Sequence, residues 1–193
     1  MDTRTKIVRS LAVVAVVGSL AALGVFAAFS GQTENPGNSV TSGTVEISDN
    51  DGGTALYSMS DAAPGETTTR CIQVTYSGSL PADVSLYTAD TIDTLGAEVT
   101  LDIDAGTQEP FAADCTGFAA DTGGGLFNDS LASFAAAHNS FASGIADDPG
   151  DVATEWTTGD SVVYRVSATL DADATLEGAT TGVHAFTWEA QNN

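Results

Sequence analysis

Few residues in this chain are able to do chemistry, and their spacing decides most of what they could do. A zinc peptidase of the common kind needs two histidines one helical turn apart with a glutamate between them, H-E-x-x-H. The chain has 2 histidines, His138 and His184, distant in sequence and in different predicted elements. His138 falls on the apolar side of a predicted helix, and His184 alternates with Phe186 and Trp188 on a predicted strand, so both read as packed or solvent-facing rather than ligating. The 2 cysteines, Cys71 and Cys115, follow an export leader, and an even pair in that setting predicts a disulfide rather than a metal or redox site. With those thiols joined and no Gly-x-Ser-x-Gly elbow, acyl transfer lacks its parts. The expectation is a protein that is not an enzyme, without a catalytic or cofactor-binding set.

Close acidic groups occur at Asp49 with Asp51, at Asp147, Asp148 and Asp151, and at Asp171 with Asp173. Calcium takes six to eight oxygens from such loops. Asp49-Asn50-Asp51-Gly52 lacks the spacing of an EF-hand, however, and a chain this acidic places carboxylates together by chance. Calcium is therefore an expected possibility without an assigned site, and solvated surface charge is the simpler reading. Asn128-Asp129-Ser130 fits the glycosylation pattern, while Asn128 also reads as a helix cap.

The leader is Met1 to Ala27. Arg4, Lys6 and Arg9 precede an apolar run from Leu11 to Phe29 that is interrupted only by Gly18, Ser19 and Gly24, and Val25-Phe26-Ala27-Ala28 offers small residues to a signal peptidase. The predicted cut lies between Ala27 and Ala28. A retained anchor is the competing reading, because the run approaches the roughly 20 residues that span a bilayer, but no basic stop-transfer cluster follows it.

Cleavage would remove three of the 5 cations and one of the 26 acids, leaving Arg70 and Arg165 against 25 acids, a net of −23. Without clustered cations a nucleic-acid partner is excluded in practice, and binding to anionic lipid is disfavoured, so the only membrane contact expected is through the leader. Self-repulsion at this charge opposes association until salt or divalent cations screen it.

The elements that would position these residues are mostly strands. Gly31 to Thr41 is polar, rich in Gly and Asn and interrupted by Pro36, so 28–41 reads as a flexible arm before a single domain, 42–193. Alternating runs then follow at Thr44–Ser48, Ala55–Met59, Thr68–Tyr76, Ala82–Thr88, Ala97–Asp104, Ser161–Leu170 and Val183–Ala190, separated by turn residues. Strands at this spacing predict an antiparallel β-sandwich. Side chains alternate across a strand, so Ile72, Val74 and Tyr76 share a face, as do Val99, Leu101 and Ile103, and Val162, Tyr164, Val166, Ala168 and Leu170. Phe186 and Trp188 are expected to complete that core. Between 128 and 145 the period changes: Leu131, Phe134, His138, Phe141 and Ile145 recur at helical steps, predicting one amphipathic helix capped by Asn128. Gly106–Gly125 and Asp147–Gly159 read as surface excursions.

Several segments, in order, resemble the TasA and camelysin family of exported matrix-fibre proteins: Val25-Phe26-Ala27-Ala28-Phe29 at the leader's end, Ser42-Gly43-Thr44-Val45-Glu46-Ile47, Ala63-Pro64-Gly65-Glu66, Ser77-Gly78-Ser79-Leu80-Pro81-Ala82-Asp83-Val84, and Phe186-Thr187-Trp188-Glu189-Ala190-Gln191-Asn192. The resemblance implies a jelly-roll-like sandwich whose copies polymerise when the N-terminal segment of one adds as a strand to the next. Pro36 has no N–H to donate, which would confine a donated strand to residues around Phe29 or Val40. Camelysin-like proteins have also been classed as metallopeptidases, an activity for which the histidine spacing is unsuited.

Two functions remain. One is a secreted structural subunit of an extracellular biofilm-matrix fibre, associating with itself and with other matrix components. The other is a binding module for polysaccharide or protein, with exposed Tyr57, Tyr87 and Trp156 as its contacts.

Overall fold

The computed structural model describes residues 41–146 and 155–192. The leader, the cut at Ala27 and Ala28, the arm up to Val40 and the acidic trio Asp147, Asp148 and Asp151 lie outside them. Two antiparallel sheets make up the compact unit Ser42–Asn193. The first contains β1 (Ile47–Asp49), β2 (Thr67–Tyr76), β7 (Ser161–Leu170), β4 (Val99–Thr107) and β5 (Ala119–Ser130), in that order across the sheet. The second contains β6 (Ile145–Ala146), β3 (Asp83–Tyr87) and β8 (Thr187–Gln191). One short helix, α1 (Leu131–Ala137), follows β5 directly.

The alternation in β2, β4 and β7 does what a half-buried pleat requires. Ile72, Val74 and Tyr76, with Val99, Leu101 and Ile103, and Val162, Tyr164, Val166, Ala168 and Leu170, are all buried in one cluster with Val84 and Leu86 of the other sheet. Removing each large apolar side chain from water contributes roughly 1.5 to 3 kcal/mol. Phe186 and Trp188 pack against that cluster from β8 and the residue before it, Trp188 lying 5.2 Å from the Tyr164 ring. The sandwich reading therefore holds, with its core face as predicted.

Four elements differ from the sequence reading. The predicted strand Ala55–Met59 is irregular: Leu56, Tyr57 and Met59 pack against the core without joining a ladder. The predicted excursion Gly106–Gly125 contains the start of β5, which pairs with β4 through two register shifts. Glycine makes that pairing possible, because a Cβ at Gly106 or Gly124 would collide with the carbonyl oxygens of Ala119 and Ala105. The long helix predicted over 128–145 is only α1, followed by a 3-10 turn at Phe141–Ser143. Its cap is Ser130, whose Oγ accepts from the Ser133 N–H at 3.1 Å, whereas Asn128 sits in β5 and donates to Asp102 at 2.6 Å. The helix stops because Asn139 and Ser143 bond each other locally, the Asn139 N–H donating to Ser143 Oγ at 3.2 Å.

The last strand also begins later than expected, so His184 precedes β8 instead of lying in it. Trp156, expected at the surface, is 0% exposed: it exchanges two backbone bonds with Ala82, at 2.7 and 3.0 Å, in an isolated bridge that turns the indole inward. Tyr57 and Tyr87 are half-buried rather than exposed.

The expected bond Cys71–Cys115 is present, with Cα atoms 5.1 Å apart and a sequence separation of 44. It ties β2 to the segment that precedes β5. Closing a loop of that length removes denatured-state entropy worth about 4 kcal/mol.

Candidate assembly edges and the cleft between the sheets

A β-sandwich has edges, and each unpaired edge is a template for another strand. The treatment of these edges is the most informative feature of the molecule. In β2 the Tyr76 N–H points towards β7, donating to Asp160 O at 2.9 Å just before that strand. Alternate residues must then turn their backbone groups the other way, so Thr69, Cys71, Gln73 and Thr75 face outwards. Thr75 pairs with Ser48 of β1. Beyond β1 the edge is closed piece by piece: the Gln73 N–H donates to Asn50 Oδ1 at 2.9 Å, the Cys71 N–H to Ala113 O at 3.0 Å, and Arg70 Nη1 to the Thr69 carbonyl at 2.9 Å.

β8 is treated differently. One side pairs with β3 along its whole length, Asp83 opposite Gln191 through Tyr87 opposite Thr187. Among the described residues no backbone group pairs with the other side. That open side meets β1 across a cleft of about 220 Å³ lined by Ile47, Ser48, Asp49, Val74, Phe186, Thr187 and Trp188. The Trp188 indole packs on Tyr164, and its N–H is buried without a hydrogen-bond partner. An unsatisfied buried donor costs about 1 to 3 kcal/mol.

A larger hollow of about 760 Å³ adjoins it, walled by the irregular segment around Tyr57 and by residues before β8. His184 closes across this hollow onto Tyr57, with Nε2 2.6 Å from the phenol oxygen. Its Nδ1 lies 3.1 Å from the Gly182 carbonyl, which can only accept, so Nδ1 carries the proton and the Tyr57 hydroxyl donates to Nε2. Burial pushes the Tyr57 phenol well above its ordinary range. His138 is engaged elsewhere, its Nδ1 2.8 Å from Ser143 O and its ring against Phe127 and Phe134.

The acidic groups are also accounted for locally. Asp49 and Asp51 accept from nearby backbone N–H groups in a turn, Asp51 N–H to Asp49 Oδ1 at 3.2 Å and Gly53 N–H to Asp51 Oδ1 at 2.6 Å. Partial burial raises the Asp49 carboxyl above its usual range, opposed by the bond from the Asp51 N–H and reinforced by the neighbouring Asp51 carboxylate. Asp171 accepts from the Thr100 hydroxyl at 2.8 Å, and Asp173 is exposed. Among the described residues no three His, Cys, Asp or Glu side chains converge as a metal ion would require, and no helix is long and apolar enough to cross a membrane.

The braces on β8 and the caps on β2 were not read from the sequence. A free edge has no residue signature, because it is defined by what fails to pair with it. No curated protein matches the chain. The profile of the camelysin metallo-endopeptidase family does match, over residues 3–107, more than half of the 193-residue sequence and as far as the end of β4, and the chain belongs to that family.

Proposed function

We propose that this protein is an exported structural subunit of an extracellular matrix fibre, in which the arm Ala28–Val40 of one copy adds as a strand along β8 of the next. The observation that carries this reading is the open outer edge of β8, facing β1 across a cleft lined by both apolar and polar residues. A strand laid there gains main-chain hydrogen bonds along β8, while alternate side chains reach Ile47, Val74 and Phe186 and set the register.

The family is named for metallo-endopeptidases, so its zinc is tested against the residues present. A catalytic zinc takes three protein ligands, usually histidine or carboxylate, and keeps one position open. Here both nitrogens of His184 are engaged, by Tyr57 and Gly182, and His138 lies apart at the end of α1. The described residues do not fit that group, and no hydrolytic step is derived from them.

Assembly sets a short-range attraction against a long-range repulsion. Each backbone bond of an added strand is worth about 0.5 to 1.5 kcal/mol net, while two cleaved subunits near −23 must approach. The Debye length falls from about 10 Å at 0.1 M salt to about 3 Å at 1 M, so fibre formation should rise steeply with salt or millimolar calcium. Electron microscopy of the secreted protein across that range should show fibres, and deletion of Ala28–Val40 should leave a folded monomer. If the truncated chain assembles as well as the full one, the arm is not the donor. If neither assembles in any ionic condition, a binding module holding polysaccharide or protein in the larger hollow becomes the better reading.

A further inference from the structure

The segment from Gln108 to Phe118 is held on the sheet by ties of several kinds. Gln108 is 3% exposed, and its amide donates to Ala112 O at 3.1 Å and Thr116 O at 2.7 Å, bunching the segment from inside. The Cys115 N–H donates to Ala112 O at 2.9 Å, and Phe118 lies under the Arg165 guanidinium with its ring centroid 4.8 Å away. Three ties reach β2 itself: the bond from Cys71 N–H to Ala113 O, the disulfide one residue beyond Asp114, and the attraction between the Asp114 carboxylate and Arg70. What they cover is a strand edge rich in good strand formers, Thr67-Thr68-Thr69-Arg70-Cys71-Ile72-Gln73, of which β1 pairs no residue.

We infer that this segment is a guard, and that opening the Cys71–Cys115 bond turns Thr67–Cys71 into a second acceptor edge whose occupant is the same edge of a second copy of this chain. The inference goes beyond the fibre reading, since it concerns a different edge and needs no donated arm. Charge selects the occupant. The edge carries one cation, Arg70, and no acid, in a chain otherwise strongly acidic. Antiparallel pairing of two copies about Thr68 sets Arg70 of each opposite Glu66 of the other, so a two-fold contact joins opposite charges in both halves.

The release is a thiol–disulfide exchange with an external dithiol. Its thiolate attacks Cys115 Sγ, which belongs to the more exposed partner; Cys71 leaves as a thiolate and takes up a proton. The second thiol of the reductant then displaces Cys115, which is protonated in turn. Two electrons and two protons reach the protein, and the dithiol ends as its own disulfide. The Cys71 N–H loses the constraint that keeps Ala113 against it and becomes available beside the outward N–H of Thr69, while Gln73 stays capped by Asn50.

The test uses the secreted protein in 1 M sodium chloride with and without dithiothreitol, followed by analytical ultracentrifugation and amide hydrogen exchange. Reduction should accelerate exchange at Cys71 at least tenfold while β7 amides stay protected, and a species of twice the monomer mass should appear. The substitution Thr69→Pro removes an outward N–H, leaves the backbone bonds to β7 and loses there only the contact of Thr69 Oγ1 with Ser167 Oγ at 2.9 Å, and should abolish that species in the reduced protein. A reduced protein that stays monomeric, that keeps Cys71 protected, or that unfolds throughout would overturn the inference, because the sheet must outlast its guard. Fibres forming in the oxidised protein with no change on reduction would overturn it and leave the fibre reading standing. Dimers on reduction without fibres in any condition would do the reverse.

Discussion

The outer edge of β2 and the outer edge of β8 belong to the same sandwich and receive opposite treatment. Along β2 several outward groups are met, each by a different device: β1, then an asparagine side chain, a backbone carbonyl held by a disulfide, and an arginine. Along β8 there is no such device among the described residues, although the strand is braced firmly on its other side. The long outer edge of β5 falls between the two, disrupted by register shifts and the glycines Gly123, Gly124 and Gly125. Natural proteins blunt their edges to avoid aggregation, so an edge left open beside closed ones marks where joining is permitted.

The comparison can be broken most directly at Trp188. The substitution Trp188→Phe keeps an aromatic ring against Tyr164 but removes the unpaired N–H. Monomer stability in urea should change by no more than about 1 kcal/mol, whereas assembly should weaken about tenfold as the incoming strand loses contact with the indole that lines the cleft. Equal assembly by both proteins would mean that the cleft beside β8 is not where strands join.

A smaller effect tests the closed edge. Asn50→Ala uncaps the Gln73 N–H and should cost about 1 kcal/mol, with faster hydrogen exchange at Gln73 and little change at β8. Fibre mass per length should be unaffected, because the disulfide-held segment still covers the neighbouring positions.

The smallest effect is one of pH. The Tyr87 hydroxyl donates to Glu189 at 2.6 Å, and Gln191 donates to it at 2.7 Å, which together hold that carboxyl below the ordinary glutamate range. A carboxylate depressed in the folded state contributes stability that is present above its unfolded value and lost as pH falls through the folded one. The β3–β8 pair should therefore loosen below about pH 4. Tyr87→Phe should flatten that part of a melting-temperature profile, and an unchanged slope would show that the brace carries no weight.

What could be read from the sequence follows the same division. Period-two patterns locate β2, β4 and β7 and their buried faces because those strands are half-covered, with Val74 and Gln73 in different surroundings. β5 was illegible: Asp121, Thr122 and three glycines look like a loop, and only the close approach of Ala105 and Gly124 shows why they are a strand. Trp156 misled in the opposite direction, since its neighbours Glu155 and Thr157 are polar and the bridge to Ala82 that buries it comes from 74 residues earlier. The cysteine pair was legible from compartment and number alone, but its service to a strand edge was not.

The central position of β7 sets the order in which the protein can be made. Both β2 and β4 pair with it, yet residues Ser161–Leu170 come late in the chain. Any chain that ends before Ser161 holds β2, β4 and β5 without the strand that joins β2 to the others, and pairings between distant residues are slow to form. Unfinished chains therefore display strands that no partner yet covers, the condition in which neighbouring chains stick together. All but four of the 26 acids, Asp171, Asp173, Glu177 and Glu189, precede Ser161, and the mutual repulsion of half-made chains protects them until the central strand arrives.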